Sequence, residues 1–285
     1  MITSDLVRQR VQALPSLPTT VVALGRAVAD ERCTVDRVLG LLAQDPGLSS
    51  ALLRLANSAA HARDSRVMDL RSAVLRLGFD TIYQLGRSAA IIRAIPGGRH
   101  LDLLRLWQHS VAVGQVAKAL CALAGQGEHQ ESAYLAGLLH DIGKIALDQC
   151  FAQEYAPVVE ALEAGAVCLD AELSLLGVTH AEVGAMVAGQ WNFPGPMVQA
   201  IQDHHAARPG AFLTGVVQLA DLLVRTRIPN SPADERLAFV LEEEPAFALV
   251  FPGLGRGTLD EERLTFGIDD ELDHAIAFVK LVFQE

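Results

Sequence analysis

The chain has 285 residues, of which 51% are hydrophobic and 20% charged, and its formal net charge is −11. This balance is typical of a globular protein with an ample core, as one large domain or two smaller ones. No apolar run is long enough to span a bilayer, which excludes a membrane-spanning helix. The four cysteines form no C-x-x-C pair and no signal peptide precedes them, so we expect reduced thiols and a cytoplasmic location.

The charge is distributed unevenly along the chain. Residues 1–100 contain 13 basic and 8 acidic side chains, and every basic one is arginine, whereas residues 101–230 carry −7 and residues 231–285 carry −9. With the Pro96-Gly97-Gly98 stretch, this contrast predicts an N-terminal lobe over 1–98, a bundle over 99–230 and an acidic C-terminal extension over 231–285. The arginine-rich lobe could bind nucleic acid, but the favoured interpretation is solvated arginines that offset the acidic remainder.

Helix signals recur along the whole chain, and no strand alternation is convincing, so we predict an all-α fold. Thr34 can N-cap the run that follows it, and Asp45-Pro46 places an N-cap before a proline at the first helical position. Thr179-His180-Ala181-Glu182 fits a capping box. The other predicted helices are Thr20–Ala29, the run from Gly47 to Ala59, Arg71–Leu77, Thr81–Ile95, Leu101–Gly125, Tyr134–Asp148, Gln153–Gly165, Leu169–Leu176, Met197–His205, Phe212–Arg227 and Asp269–Phe283.

The stretch Tyr134–Asp148, YLAGLLHDIGKIALD, is the strongest functional signal. It is an apolar helical run that carries His140, Asp141 and Lys144 in its middle. An imidazole and a carboxylate in such a run are costly to bury unless something binds them. Because adjacent residues on a helix diverge by about 100°, both can serve one site only at a groove where helices converge. The pattern therefore predicts a metal between helices.

Other parts of the chain supply the remaining ligand types. Imidazole nitrogens and carboxylate oxygens suit divalent iron, manganese or zinc, and no thiolate takes part, so a structural zinc finger is excluded. An aspartate within VVQLADLLV must be a ligand or be paired, for example with Arg225 one turn later. The alternative for the histidines is a surface position at a helix start or end. The candidate metal ligands are His109, His140, Asp141, His180, His204, His205 and Asp221.

The segment Ser4–Arg93 resembles the opening of HDOD domains, a helical bacterial signalling family. The matching residues are Leu14-Pro15-Ser16-Leu17-Pro18, Gln44-Asp45-Pro46, Leu52–Ala59 and Ala73–Gly78, and the resemblance continues to about residue 225. It implies an N-terminal helical lobe packed on an HD-type helical bundle. Most HDOD domains have lost the HD ligands and are taken to be non-catalytic, so the ligand set of this chain departs from the usual pattern.

The ligand set resembles the H…HD…H…HH…D pattern of HD-superfamily phosphohydrolases. The resemblance implies that the first histidine, the HD pair and the last aspartate hold one metal, and that His180, His204 and His205 add a second. It also implies that Lys144 contacts phosphate. The chain departs from the related HD-GYP phosphodiesterases after His205, because the HHE…GYP segment is absent. Arg105 also stands where a third-metal glutamate would lie.

Two functions from different classes are therefore expected. The first is an HDOD-family signalling protein with an intact one- or two-metal HD centre and phosphohydrolase or phosphodiesterase activity, in which Asp141 and Lys144 are catalytic. Its substrate would be a phosphate-containing small molecule or nucleotide. The second is a non-catalytic module whose metal site is structural or ligand-sensing and which acts on a signalling protein partner. Neither interpretation involves a membrane, and nucleic acid is not the expected partner.

Overall fold

A computed structural model of the chain describes residues 1–17, 19–28, 30, 32–57, 66–95, 97–228, 240–253 and 261–283. Over these residues it consists of α-helices, short 3₁₀ helices and connecting turns without a strand, which confirms the predicted all-α fold. No helix in this described part is long and apolar enough to cross a membrane. Features predicted at Pro18, Ala29, Ala59, Pro96 and the 230/231 boundary lie outside the described residues.

The α-helices are numbered in chain order. They are α1 (Ser4–Gln12), α2 (Thr19–Val28), α3 (Val35–Leu42), α4 (Pro46–Ala56), α5 (Leu70–Leu77), α6 (Phe79–Ala94), α7 (Leu103–Leu123), α8 (Gln130–Leu139), α9 (Ile142–Cys150), α10 (Ala152–Glu163), α11 (Cys168–Leu175), α12 (His180–Gln190), α13 (Gly195–Gln202), α14 (Phe212–Arg225), α15 (Pro245–Val250) and α16 (Glu261–Phe283). The last helix begins eight residues before its predicted start.

The chain divides into two compact units. The larger contains residues 1–14 and 97–275, and the smaller contains residues 15–96 and 276–285. Although α1 lies in the arginine-rich part of the sequence, it belongs to the larger unit, where the Ile2 N–H donates to the Leu176 carbonyl at 2.7 Å. The domain boundaries at 98/99 and 230/231 remain predictions.

The smaller unit is organised by local helix signals that the sequence already displays. The Thr34 side chain accepts a hydrogen bond from the Arg37 N–H, and the Asp45 carboxylate accepts one from the Leu48 N–H, so both predicted N-caps are confirmed. Along α4, Leu48, Leu52 and Leu55 are buried as a stripe. Capping fixes where these helices begin, and the apolar stripe fixes which face they bury.

In the larger unit, α7 packs closely against α8 and α14. The α7–α8 contact is a glycine-on-glycine approach, because a Cβ on Gly137 would lie only 2.9 Å from the Gly114 Cα. Two backbones can come this close only where both residues lack a side chain. The contact brings the middle of α7 next to the end of α8, where the HD pair lies.

The predicted continuous helix over Tyr134–Asp148 is wrong. Helix α8 ends at Leu139, helix α9 begins at Ile142, and Asp141 is the N-cap residue with φ −96° and ψ 7°. On one straight helix, the two side chains would point about 100° apart. The break removes that constraint, and it leaves both His140 and Asp141 facing the same group of residues.

Helix α9 also approaches α12 through a glycine. A Cβ on Gly143 would overlap the His180 carbonyl oxygen and would lie 2.6 Å from the Gly184 N atom. The absence of a side chain at Gly143 therefore lets the start of α9 lie directly against the start of α12. As a result, His180 lies beside Asp141.

Candidate metal centre

The larger unit brings all seven predicted ligand residues together. Each is nearly fully buried except His205, which is half-buried. The predicted helix Met197–His205 ends earlier, at Gln202, so His204 and His205 lie in the turn that follows α13. The contributing elements are α7 (His109), the α8–α9 junction (His140 and Asp141), the first turn of α12 (His180), the turn after α13 (His204 and His205) and α14 (Asp221).

One group of these residues surrounds Asp221. His109 Nε2 lies 3.0 Å from Asp221 Oδ1, and His140 Nε2 lies 3.7 Å from the same oxygen. His140 Nε2 is also 3.5 Å from Asp141 Oδ2. Candidate ligand atoms of His109, His140 and Asp141 all lie within 4.8 Å of one another, a spacing that one ion could fill.

A second group consists of His180, His204 and His205, whose candidate ligand atoms also lie within 4.8 Å of one another. His180 Nε2 is 2.9 Å from His205 Nε2 and 3.4 Å from His204 Nε2. All three nitrogens therefore converge on one point, which is unusual for imidazoles that only fill space.

Asp141 lies between the two groups. Its Oδ1 atom is 3.2 Å from His180 Nε2 and 3.9 Å from His204 Nε2, whereas Oδ2 faces His140 and Lys144. The Lys144 ammonium donates to Oδ2 at 2.7 Å. A carboxylate placed in this way can bridge two cations.

Backbone and side-chain acceptors fix the orientation of three of the imidazoles. His140 Nδ1 lies 2.7 Å from the Gly137 carbonyl, His204 Nδ1 lies 2.6 Å from the Ile201 carbonyl, and His180 Nδ1 lies 2.7 Å from the Glu172 carboxylate. Because these oxygens only accept, each Nδ1 carries the proton. The Nε2 atom of each ring therefore points into the centre, the arrangement that outer-shell acceptors give to metal-binding histidines.

Several buried polar atoms of the centre lack hydrogen-bond partners. They are both ring nitrogens of His109, His140 Nε2 and Asp141 Oδ1. A buried polar atom without a hydrogen bond costs about 1–3 kcal/mol. Four such atoms on three neighbouring ligand-type residues fit a divalent transition metal, because coordination would satisfy the atoms that face inward.

Five of the seven predicted ligands have pKa shifts that suit metal ligands. His180 differs, because burial opposes its charge but the Glu172 carboxylate raises its pKa to about 10. Burial lowers the pKa of His140 and His204 and lowers that of His205 to about 3, so these rings are neutral at pH 7. Burial alone would raise the pKa of Asp141, but Lys144 and the neighbouring histidines hold that pKa well below its ordinary value. Burial would likewise raise the pKa of Asp221, but the close approach of His109 to Oδ1, with the nearby His140, holds that pKa below the ordinary range.

Of the alternatives to metal binding, the surface position of the histidines and the ion pair of Asp221 can be compared with the structure. A surface position is wrong for His180 and His204, since both are fully buried. The ion pair suggested for Asp221 exists, with 3.6 Å between Arg225 Nη1 and Asp221 Oδ2. It occupies only that oxygen, however, while Oδ1 faces His109 and His140. The role of the seven residues as metal ligands stays a prediction.

One buried carboxylate near the centre was missed by the sequence analysis. Glu172 on α11 is fully buried, and its Oε2 atom accepts from both the backbone N–H of His180 at 2.8 Å and the ring at Nδ1. The Tyr155 hydroxyl lies 3.4 Å from Oε1. In the sequence, Glu172 is one of two acids on a short helix that also exposes apolar residues, so no sequence signal distinguishes it.

Comparison with known proteins gives a family and two close folds. The HDOD domain family model matches residues 14–207. A solved structure from Shewanella amazonensis SB2B, named "Putative phosphohydrolase", is 29% identical with a TM-score of 0.74, and the match covers 97% of this chain and 98% of that one. An HDOD domain protein of unknown function from Geobacter sulfurreducens is 26% identical with a TM-score of 0.79, and the match covers 99% and 98%.

A curated relative matches over most of this chain but is much longer. It is an uncharacterized protein of Treponema pallidum (strain Nichols), 27% identical over 236 residues, which are 80% of this chain. The match spans only 45% of that relative's length.

Proposed function

Because the chain belongs to the HDOD family, we propose that it is a bacterial signalling protein of that family with an HD-type centre that binds one or two divalent metals and hydrolyses a phosphoester. The observation that carries this proposal is the orientation of the imidazoles of His140, His180 and His204, each with Nδ1 on an oxygen acceptor and Nε2 in the centre. A core that merely tolerated histidines would have no need to aim three of them at one carboxylate. The Shewanella relative that is named as a phosphohydrolase gives independent support.

The residues would hold the metals as two groups. His109, His140, Asp141 and Asp221 would hold one ion, and the three remaining histidines would hold the second, with Asp141 between them. A divalent iron, manganese or zinc ion bound there would supply an activated water and would neutralise charge on phosphate oxygens. The hydrophobic helices around the centre exclude bulk water, which strengthens each of these electrostatic interactions.

Two residues would act on the substrate side. Asp141 would orient the attacking water, because its two oxygens face both ligand groups. Lys144 would stabilise charge on the phosphate oxygens. Burial opposes its charge, but the adjacent Asp141 raises the pKa of Lys144 above the ordinary value, so the ammonium stays protonated. The substrate would be a phosphate-containing small molecule or nucleotide.

The alternative is a non-catalytic signalling module that acts on a protein partner. One observation favours it: the Lys144 side chain is only 12% exposed, and its ammonium is already paired with Asp141. The residues after His205, Ala206-Ala207-Arg208-Pro209-Gly210, also lack the segment that HD-GYP phosphodiesterases carry. In this case, the metals would hold the helices in place or would respond to a ligand.

Substitution of Lys144 separates the two functions. We expect the manganese- or iron-loaded chain to cleave a generic phosphodiester or phosphomonoester, and Lys144→Met to lower turnover by about 100-fold or more at unchanged metal content, because one charge-stabilising contact is lost. Lys118→Met is the matched control. Lys118 lies nine residues after His109 on α7, about 13 Å along the helix axis, so its loss should leave turnover unchanged.

Two results would contradict the catalytic proposal. Full metal occupancy without turnover on nucleotides, cyclic dinucleotides and model esters would favour the non-catalytic module. Equal turnover of the Lys144→Met and Lys118→Met variants would remove Lys144 from the mechanism.

A further inference from the structure

Three consecutive helices form a buried polar chain behind the metal centre. Tyr155 comes from α10, Glu172 from α11 and His180 from α12, and all three are fully buried. The Tyr155 hydroxyl donates to Glu172 Oε1 at 3.4 Å, and Glu172 Oε2 accepts from His180 twice, from the backbone N–H and from Nδ1. The chain ends at the His180 ring, whose opposite nitrogen faces Asp141 and His205.

The geometry at the ring assigns distinct tasks to its two nitrogens. Nδ1 is 2.7 Å from Glu172, while Nε2 is 3.2 Å from Asp141 Oδ1 and 2.9 Å from His205 Nε2. The second bond, from the His180 backbone N–H to the same Oε2 atom, fixes the carboxylate relative to the first turn of α12. Glu172 therefore controls both where the ring lies and which nitrogen carries the proton.

A buried carboxylate with only a structural task would not need this arrangement. Burying an ionised carboxylate costs several kcal/mol unless close partners compensate. A neutral acceptor would satisfy the His180 N–H at lower cost, as the Thr179 hydroxyl does for the Glu182 N–H at the same helix end. The negative charge of Glu172 has a further effect, because it makes His180 more basic and thus a stronger ligand.

We propose that Glu172 is a positioning residue of the metal centre, which orients His180 through Nδ1 so that Nε2 binds the second metal, with Tyr155 as the outer support. This inference rests on the proposed function only in requiring that the centre binds metal. It does not require phosphoester hydrolysis.

Glu172→Gln tests the charge without removing the acceptor. The amide has the same shape, and its oxygen can still accept from both His180 donors, so the variant should fold. Titration of the metal-free full-length chain with cobalt(II) alone should show weaker binding by about 10- to 100-fold, the usual effect of losing an outer-shell partner. Glu182→Gln is the matched control, because it removes an exposed carboxylate of α12 that accepts hydrogen bonds from Thr179. Its cobalt affinity should equal that of the wild type.

A spectroscopic readout separates positioning from general stability. In the cobalt-loaded wild type, proton NMR should show a hyperfine-shifted, slowly exchanging Nδ1–H signal for His180. That signal should be lost in Glu172→Ala, which removes the acceptor, and should persist in Glu182→Gln. If Glu172→Ala does not fold, the cobalt affinity of Glu172→Gln carries the test.

The outcomes distinguish this inference from the proposed function. A wild type that binds cobalt while Glu172→Gln binds it equally well would overturn the positioning role and leave the proposed function intact. A wild type that binds no cobalt would overturn both. Weakened cobalt binding in Glu172→Gln without any phosphoester turnover in the wild type would support the positioning role and contradict hydrolysis.

Discussion

The two carboxylate oxygens of Asp221 make different contacts, one expected of an ion-pair partner and one expected of a metal ligand. Its Oδ2 atom pairs with Arg225 at 3.6 Å, and its Oδ1 atom lies 3.0 Å from His109 Nε2. The arginine side chain is 26% exposed, so solvent weakens the pair. The histidine contact is buried. The buried contact of Oδ1 with His109 therefore explains better than the ion pair why an aspartate lies within an apolar helix.

Substitutions at this pair decide which role dominates. Asp221→Asn should lower metal affinity by more than the 10- to 100-fold typical of outer-shell partners, because a ligand itself is weakened. Arg225→Met should leave metal affinity nearly unchanged and should cost only about 0–1 kcal/mol of stability. Metal titration and thermal unfolding of both variants provide the measurement. Equal metal affinity in Asp221→Asn and the wild type would make the aspartate a structural ion-pair partner.

At the level of single residues, the sequence predicted which ligand-type residues would come together. It did not reveal Glu172, the carboxylate that accepts hydrogen bonds from one of them. His140, Asp141 and Asp221 were recognisable because an imidazole or a carboxylate in an apolar segment requires a partner. Glu172 gave no such signal, because its helix also exposes Leu173 and Leu175. Its role depends on the approach of α11 to the start of α12, which is a tertiary contact.

At the level of helices, local sequence signals predicted where a helix begins better than where a helix is interrupted. The caps at Thr34, Asp45 and Thr179 are formed by neighbours in sequence, so they could be predicted from the residues alone. The break between α8 and α9 could not, because no proline marks it and the apolar pattern continues through it. It arises where α7 and α12 pack against the two sides of the junction.

Gly143 is the position where this helix arrangement is most easily tested. Gly143→Ala should push α9 away from α12, because the new Cβ would overlap the His180 carbonyl. Overpacking of this kind typically costs about 1–3 kcal/mol, and metal affinity should fall as His180 moves from Asp141. Denaturant unfolding and metal titration measure the two effects.

Gly189→Ala on α12 is the control for Gly143→Ala, since a Cβ there would meet nothing within 4 Å. It should be neutral or stabilising by up to about 1 kcal/mol. If the two alanine variants unfold at the same denaturant concentration, the packing of α9 on α12 does not require a glycine at position 143.

At the level of the whole molecule, several arginines of the arginine-rich segment form ion pairs with aspartates of the same segment. Within the smaller unit, Arg37 pairs with Asp30 at 3.1 Å, Arg93 pairs with Asp45 at 3.1 Å, and Arg71 pairs with Asp36. These contacts use charge that a nucleic-acid surface would need to present. They support the interpretation of this segment as a solvated helical unit.

Metal binding should also appear in the stability of the whole chain. A ligand that binds only the folded state stabilises it by about 2.7 kcal/mol when present at 100 times its dissociation constant. Removal of metal with a chelator should therefore lower the Tm of the wild type by several degrees. The Tm of Asp141→Ala, which lacks the carboxylate between the two ligand groups, should not respond to the chelator. A wild-type Tm that is identical with and without chelator would contradict metal-linked stability.

The most direct test of the account is elemental analysis of the purified chain after expression with iron, manganese and zinc available. The account predicts one to two equivalents of a transition metal per chain, because seven ligand-type side chains converge with their Nε2 and carboxylate atoms facing inward. Asp141→Ala, folded as judged by circular dichroism, should lose most of that metal. A folded wild-type chain that is metal-free as purified, and that takes up none of the three metals on addition, would contradict the central claim.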